Sequence, residues 1–256
     1  MLTAITRGVG PTFADCNLEF LVRQPIDVDR AVAQHQAYET CLRELGLQLV
    51  SLPPDPEFPD GLFVEDPALV LDEIAIVCRM GAEVRRKEAP SLADAIARFR
   101  PLEWLAAPGT LEGGDVVRIG KTLFVGISPR SSREGSARLA DLIRPYGYRV
   151  VPVAVHGCMH LKSACCSVGR DTVLANRAWM EPGAFGDFRI LEVPEPWAAD
   201  VLRVGDTVIV PASFPRTQDL LERSGFHVRS LDVSELQKAE AGVTCMSLIF
   251  EASPGV

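Results

Sequence analysis

The chain has 256 residues, 47% hydrophobic and 23% charged, with 34 Asp and Glu against 26 Lys and Arg and a formal net charge of −8. That composition excludes a disordered, collagenous or disulfide-miniprotein chain and allows a sizeable core. The acidic balance, without any basic cluster, lacks the electrostatic footprint that phosphate backbones require, so no nucleic-acid partner is expected.

Residues 1–9 have neither the basic start nor the continuous apolar stretch of a signal peptide. Later apolar windows, such as residues 204–212, are interrupted by Gly, Asp and Pro well short of the roughly 20 residues of a membrane-spanning helix. A cytoplasmic protein with no membrane partner is expected. The seven cysteines are odd in number, scattered and without a C-x-x-C pair, which suits reduced thiols. No linker or shift of composition divides the chain, so residues 1–256 read as a single domain.

Taken from the N-terminus, residues 2–6 read as a short strand. Residues 28–45 carry apolar side chains at three and four spacing, and a Gly then leads into an apolar strand at 46–52. The same helix, Gly, strand order recurs at 133–145 with 147–153, and at 217–224 with 225–231. A further helix at 91–99 lacks the Gly but leads into an apolar segment at 102–106. Between these units lie four hairpin patterns: residues 62–77 turning near Asp72-Glu73, 115–125 at Gly120-Lys121, 164–174 at Gly169-Arg170, and 201–210 at Gly205-Asp206. Residues 242–250 form a last strand, for which residues 2–6 supply a partner. The repeating unit is strand, strand, helix, strand, about five times over. Because one such unit cannot cover its own small sheet, a closed α/β ring resembling a propeller is expected, against the alternative of an ordinary mixed sheet with hairpin insertions.

The ring predicts that residues at the start of each first strand converge near the axis. Those residues are Glu65 and Asp66, Glu112, His160 and Cys245, at steps of 47, 48 and 85 residues from Glu65. A thiol, an imidazole and carboxylates in one pocket are the equipment for nucleophilic attack at an electrophilic carbon. Several acids would raise the thiol pKa, unless the substrate is a cation that compensates them, and a guanidinium fits paired carboxylates. Cys158, His160, Cys165 and Cys166 do not have the spacing of a closed zinc site, and strand alternation points Cys165 and Cys166 to opposite faces. No metal is expected, beyond an inhibitory ion captured by Cys245 and His160.

The stretches Phe-Pro-Asp-Gly-Leu-Phe-Val-Glu-Asp-Pro at 58–67, Met-Gly-Ala-Glu-Val-Arg-Arg at 80–86, Ala-Pro-Gly-Thr-Leu-Glu-Gly-Gly-Asp at 107–115, Met-His-Leu-Lys at 159–162 and Gly-Val-Thr-Cys-Met-Ser-Leu at 242–248 occur in that order. Together they resemble the dimethylarginine dimethylaminohydrolase family of guanidine-modifying enzymes, over essentially the whole chain. The resemblance implies a pseudo-fivefold α/β propeller of ββαβ units that hydrolyses a methylated arginine to citrulline and an alkylamine without a cofactor. It implies Cys245 as nucleophile, His160 as acid and base, and Glu112 as the group holding His160 and the guanidinium. It places Asp66 on the guanidinium and Asp60 and Glu65 at substrate-site positions in the same loop. Arg85 and Arg130 would take the α-carboxylate, and backbone carbonyls near Leu18 and Ala239 the α-ammonium. Glu240 replaces the Asp more usual in the family. Residues 9–20 would form a lid, and the family's monomers and dimers make a homodimer an open expectation. Two other functions stay open: a different guanidine reaction such as arginine or agmatine deimination, and a non-catalytic binder of cationic amino acids.

Overall fold

The computed structural model describes residues 1–252. The first blade begins with β1 (Leu2–Arg7), crosses through α1 (Val28–Glu44) and returns as β2 (Gln48–Leu52) parallel to β1. The Asp27 carboxylate caps α1 by accepting the Arg30 N–H, and Tyr38, Cys41 and Leu42 supply its buried face. The second blade pairs β3 (Ala68–Val70) antiparallel with β4 (Ala75–Val77), then crosses through α2 (Ala89–Ile96) to β5 (Leu102–Trp104). The third repeats the pattern with β6 (Val116–Ile119), β7 (Thr122–Ile127), α3 (Arg133–Ile143) and β8 (Arg149–Ala154).

One helical turn, α4 (Leu161–Ala164), opens the fourth blade of β9 (Cys165–Ser167), β10 (Thr172–Ala175) and β11 (Arg189–Glu192). Here β11 still lies parallel to β10, but the crossover is a looped segment with a single 3-10 turn, Arg177–Trp179. The fifth blade is β12 (Leu202–Val204), β13 (Thr207–Pro211), α5 (Pro215–Arg223) and β14 (His227–Leu231). After α6 (Ser234–Gln237), β15 (Leu248–Glu251) pairs antiparallel with β1 and completes the first blade.

Burial shows that the five sheets form a closed ring. One apolar cluster joins Ile5, Leu248 and Phe250 of the first blade to Ala75, Leu92 and Ile96 of the second. Others join Ile76 to Leu123 and Leu139, Phe124 to Val173, and Leu174 to Val208 and Leu221. The last joins Val204 and Ile209 of the fifth blade back to Ala4, Tyr38 and Leu42 of the first. Every junction is therefore a shared core, in which each fully buried Leu, Ile or Phe contributes about 1.5–3 kcal/mol. The fold is the expected pseudo-fivefold α/β propeller.

Boundaries differ where the chain approaches the axis. The hairpin of the second blade starts at Ala68 rather than at residue 62, and the last strand at Leu248 rather than 242. In both cases the preceding residues run through turns that aim acidic or thiol side chains inward, instead of continuing the ladder.

Candidate active site

Each blade receives a polar residue just before the strand that leads its sheet, β15 in the case of the first blade. Asp66 precedes β3, Glu112 precedes β6, His160 precedes α4 and β9, Asp200 precedes β12 and Cys245 precedes β15. His160 is seated from below: Asp115, wholly buried, accepts the Leu161 N–H at 2.9 Å and the Ser128 hydroxyl at 2.6 Å, fixing the start of α4. The imidazole Nε2 lies 2.7 Å from Glu112 Oε2 and 3.9 Å from Asp66 Oδ1. Gly114 permits this approach, since a Cβ there would stand 2.7 Å from the His160 ring and 2.8 Å from Asp66 Oδ1. A cavity of about 30 Å³ is lined by Asn17, Asp60, Phe63, Asp66, Arg85, Arg130, Met159, His160, residues 239–241 and Cys245. Cys245 alone of the seven cysteines is not fully buried.

Charge in the pocket is arranged in pairs. Arg85 donates Nη1 to Asp66 at 2.6 Å, Nε and Nη2 to Glu88, and Nη2 also to the carbonyls of Asp60 and Phe63. Arg130 bonds Glu112 through Nη1 at 3.3 Å and holds the Glu19 carboxylate at 2.8 Å. Burial alone would lower the His160 pKa, but Asp66, the Glu112 hydrogen bond and Asp115 outweigh it and raise the imidazole to about 9. Glu112 moves the opposite way, its burial overcome by His160, Arg130 and Arg85, so its carboxylate stays ionised. The Cys245 thiol is pushed up by burial and then by Asp200, Glu65 and Asp66, against a single favourable contact from the Gly242 N–H at 3.4 Å. Asp66 Oδ1 is buried without a hydrogen-bond partner among the described residues.

Asp66, Glu112 and His160 also lie close enough together to hold a cation, although Glu112 already occupies the imidazole nitrogen. The four residues of the considered zinc site do not converge. Cys158 and Cys166 donate to backbone carbonyls, and Cys165 and Cys166 enter different core clusters on the two faces of β9. A second cavity, about 300 Å³, is lined by residues 68–71, 116–118 and 201–203, with Glu65, Lys162 and Thr244 beside them. It shares no lining residue with the first and contains no thiol–imidazole pair.

A family model described as "N,N dimethylarginine dimethylhydrolase, eukaryotic" matches residues 22–181. The N(G),N(G)-dimethylarginine dimethylaminohydrolase of Pseudomonas aeruginosa is 37% identical over 228 residues, covering 88% of this chain and 90% of the relative. That of Streptomyces coelicolor is 35% identical over 248 residues, covering 96% and 95%. The chain belongs to the dimethylarginine dimethylaminohydrolase family. A mutant of the Pseudomonas aeruginosa enzyme complexed with citrulline superposes with a TM-score of 0.93 at 35% identity, over 98% of this chain and 100% of that one. A dimethylarginine dimethylaminohydrolase adduct with S-methyl-L-thiocitrulline gives 0.93 at 34% identity with the same coverage. The N-terminal domain of the cyanobacterial arginine dihydrolase ArgZ, at 19% identity, shares the fold with a TM-score of 0.89.

Of the residues that resemblance to dimethylarginine dimethylaminohydrolases selects, Asp60, Asp66, Arg85, Arg130, His160, Ala239, Glu240 and Cys245 line one cavity, and Glu112 lies directly behind His160. Glu65 faces away from it, bonded to Lys162 at 2.5 Å and to the Thr244 hydroxyl at 2.8 Å. The Leu18 side chain packs against the core cluster around Phe13 rather than lining the cavity. Asn17 and Glu19, on either side of it, are the residues that reach into the site, through Asp60 and Arg130. Sequence reasoning also missed Asp115, Lys162, Thr244 and Asp200. Asp200 was within reach, because it divides the 85-residue step between His160 and Cys245 at the position a fifth blade requires.

Proposed function

We propose that this protein hydrolyses Nω-methylated arginine to citrulline and methylamine or dimethylamine through a covalent adduct on Cys245, the whole ring acting as one catalytic domain. The observation that carries the reading is Asp66 Oδ1, a buried carboxylate oxygen with no partner among the described residues, beside the His160–Glu112 pair and in the same cavity as Cys245. Leaving such an acceptor unpaired costs about 1–3 kcal/mol, and a guanidinium N–H satisfies it with a charge-assisted bond. Relatives crystallised with citrulline and S-methyl-L-thiocitrulline support the same substrate class.

A bound guanidinium offsets the acids that hold the Cys245 thiol protonated, so the thiol releases its proton to solvent and the thiolate attacks the guanidinium carbon. His160, raised to about 9, is an imidazolium at neutral pH and protonates the departing amine nitrogen. The resulting S-alkylthiouronium keeps the carbon electrophilic. The now neutral His160 takes a proton from water, hydroxide adds to that carbon, and the C–S bond breaks as the new hydroxyl gives its proton to the departing sulfur, releasing the ureido group of citrulline and restoring the Cys245 thiol. Arg130 receives the α-carboxylate once Glu19 leaves it; Arg85, expected to share that carboxylate, has its guanidinium engaged by Asp66, Glu88 and the carbonyls of Asp60 and Phe63, and holds Asp66 and the Asp60 loop in place instead. Acceptors near Leu18, Ala239 and Glu240 take the α-ammonium. Among the described residues no helix is long and apolar enough to cross a membrane. Seven free cysteines fit a reducing cytoplasm.

The test is citrulline release from dimethylarginine, monomethylarginine, arginine and agmatine, with ammonia and alkylamines measured separately. The methylated arginines are expected to turn over fastest, and Cys245→Ser to abolish turnover while remaining folded. Fastest turnover of unmethylated arginine would replace the reading with a deiminase.

A further inference from the structure

Asp200 stands before β12 as Asp66 stands before β3, at the one turn of the ring whose residue the family resemblance leaves without a role. It is buried, and its Oδ1 accepts the Thr244 N–H at 3.0 Å. Oδ2 lies 3.1 Å from the Thr244 hydroxyl and 4.0 Å from Cys245 Sγ. The carboxyl fills the space that a side chain at position 242 would need, since a Cβ on Gly242 would fall 1.9 Å from its carboxyl carbon. That close seat brings the Gly242 N–H onto the Cys245 sulfur.

The Thr244 oxygen sits 2.8 Å from Glu65 Oε2 and 3.1 Å from Asp200 Oδ2, yet a hydroxyl has one proton to donate. Both contacts are hydrogen bonds only if one carboxyl donates in turn. Lys162, 2.5 Å from Glu65, opposes the burial that raises that carboxyl, whereas Asp200 has no cation at hydrogen-bond distance among the described residues, so the extra proton is assigned to Asp200.

Resting on the assignment of Cys245 as nucleophile, we infer that Asp200 is a positioning residue for it. Through Thr244 and Gly242 it seats the thiol, and its charge, when its own proton leaves, holds the thiol protonated until a cationic substrate enters. Burial and then Glu65 raise Asp200 to about 7, against Thr244 and Lys162, and Asp200 comes first after burial among the causes that raise Cys245. The other titratable groups facing this pair are Glu65 and Asp66 ahead of β3, Lys162 on α4, Cys166 on β9 and Tyr38 on α1. Lys162 is the cation that acts on Asp200, and the His160 imidazolium, Arg85 and Arg130 line the cavity with Cys245. The nucleophile is thereby guarded against neutral electrophiles and released by positive charge.

The experiment compares alkylation of Cys245 by neutral iodoacetamide and by cationic 2-chloroacetamidine across pH, followed at the Cys245 peptide by mass spectrometry. In Asp200→Asn, which preserves shape and removes the charge, the iodoacetamide midpoint should fall by about one pH unit or more, and the preference for the cationic reagent should shrink about tenfold. An unchanged midpoint and preference in the folded variant overturns the inference. If Asp200→Asn does not fold, carboxyl-carbon NMR of labelled aspartate in the wild-type protein decides. An aspartate titrating in the neutral range that responds to Cys245→Ser supports the inference, and the lack of one overturns it. Turnover by Cys245→Ser would instead remove the nucleophile assignment, a failure these thiol and carboxyl readouts do not imitate.

Discussion

Glu112 shows how one buried side chain governs the acid of the site. Fully buried, it bonds His160 at 2.7 Å and receives Arg130 on its other side. Its negative charge and hydrogen bond help hold the imidazole protonated against a burial that opposes it. Replacing it by Gln removes the charge while keeping the shape. The His160 pKa should then fall, and with it the fraction of imidazolium available to protonate the leaving amine. The alkaline limb of kcat is expected to move toward neutrality, and kcat at pH 8 to drop by about 10²-fold, within the range general acid catalysis supplies. A pH profile of kcat for Glu112→Gln measures both effects, and an unmoved alkaline limb would count against this role for the pair.

The loop between β1 and α1 is the element that closes the site. Glu240, a non-glycine residue at φ 60°, turns its carboxylate onto the N–H groups of Glu19, Phe20 and Leu21, with the closest contacts at 2.6 Å. Asn17 bonds Asp60, and the Glu19 carboxylate rests on Arg130, where a substrate carboxylate is proposed to bind. The cavity, about 30 Å³, is smaller than an arginine side chain and Glu19 occupies Arg130, so a shift of this loop is the expected accompaniment of substrate binding. Two predictions belong to the element. Glu19→Gln removes the competing carboxylate, so KM should fall by about two- to fivefold with kcat changed by less, as loss of a weak, partly exposed pair allows. Glu240→Ala releases the latch, so chymotrypsin should cut at Phe20 and Leu21 faster than in the parent protein, as followed by mass spectrometry of the fragments.

The whole molecule is held by junctions rather than by any one sheet. Because β15 pairs with β1 and places Leu248 and Phe250 in the core between the first and second blades, removal of residues 248–256 should leave the ring unclosed and abolish a sharp thermal transition. The buried titratable groups also set how stability follows pH. His160 binds its proton more tightly folded than unfolded, so its contribution is complete below about 6.5 and is lost as pH rises through about 9. Asp115 and Asp200, raised to about 6 and about 7, likewise lose their contributions as pH climbs from their unfolded value of 3.8 through those values. Glu112, lowered from 4.5, contributes above that value and loses its share as pH falls below it. Melting temperature should therefore peak in mildly acidic solution and decline steadily from about pH 6 to about pH 9, which calorimetry across that range checks.

Local pattern determined much of this protein. The three-and-four spacing of 28–45, 133–145 and 217–224, and the turns at Gly120-Lys121 and Gly205-Asp206, placed helices and hairpins because helix and strand periods are properties of neighbouring residues. Even spacing from Glu65 to Glu112 to His160 marked the axis, since equal blades return the chain to equivalent points. Local pattern did not show that the fourth blade crosses over without a helix, or that strands end where residues 60–67 and 242–247 turn inward. Nor could it show that Glu65 faces Lys162 while Asp66 faces His160, that Glu19 sits on Arg130, or that Asp200 lies beside Cys245. Those are through-space facts: a carboxyl's ionisation depends on the burial and charges that distant segments bring around it, and only the closed ring brings Thr244, Glu65 and Lys162 to Asp200.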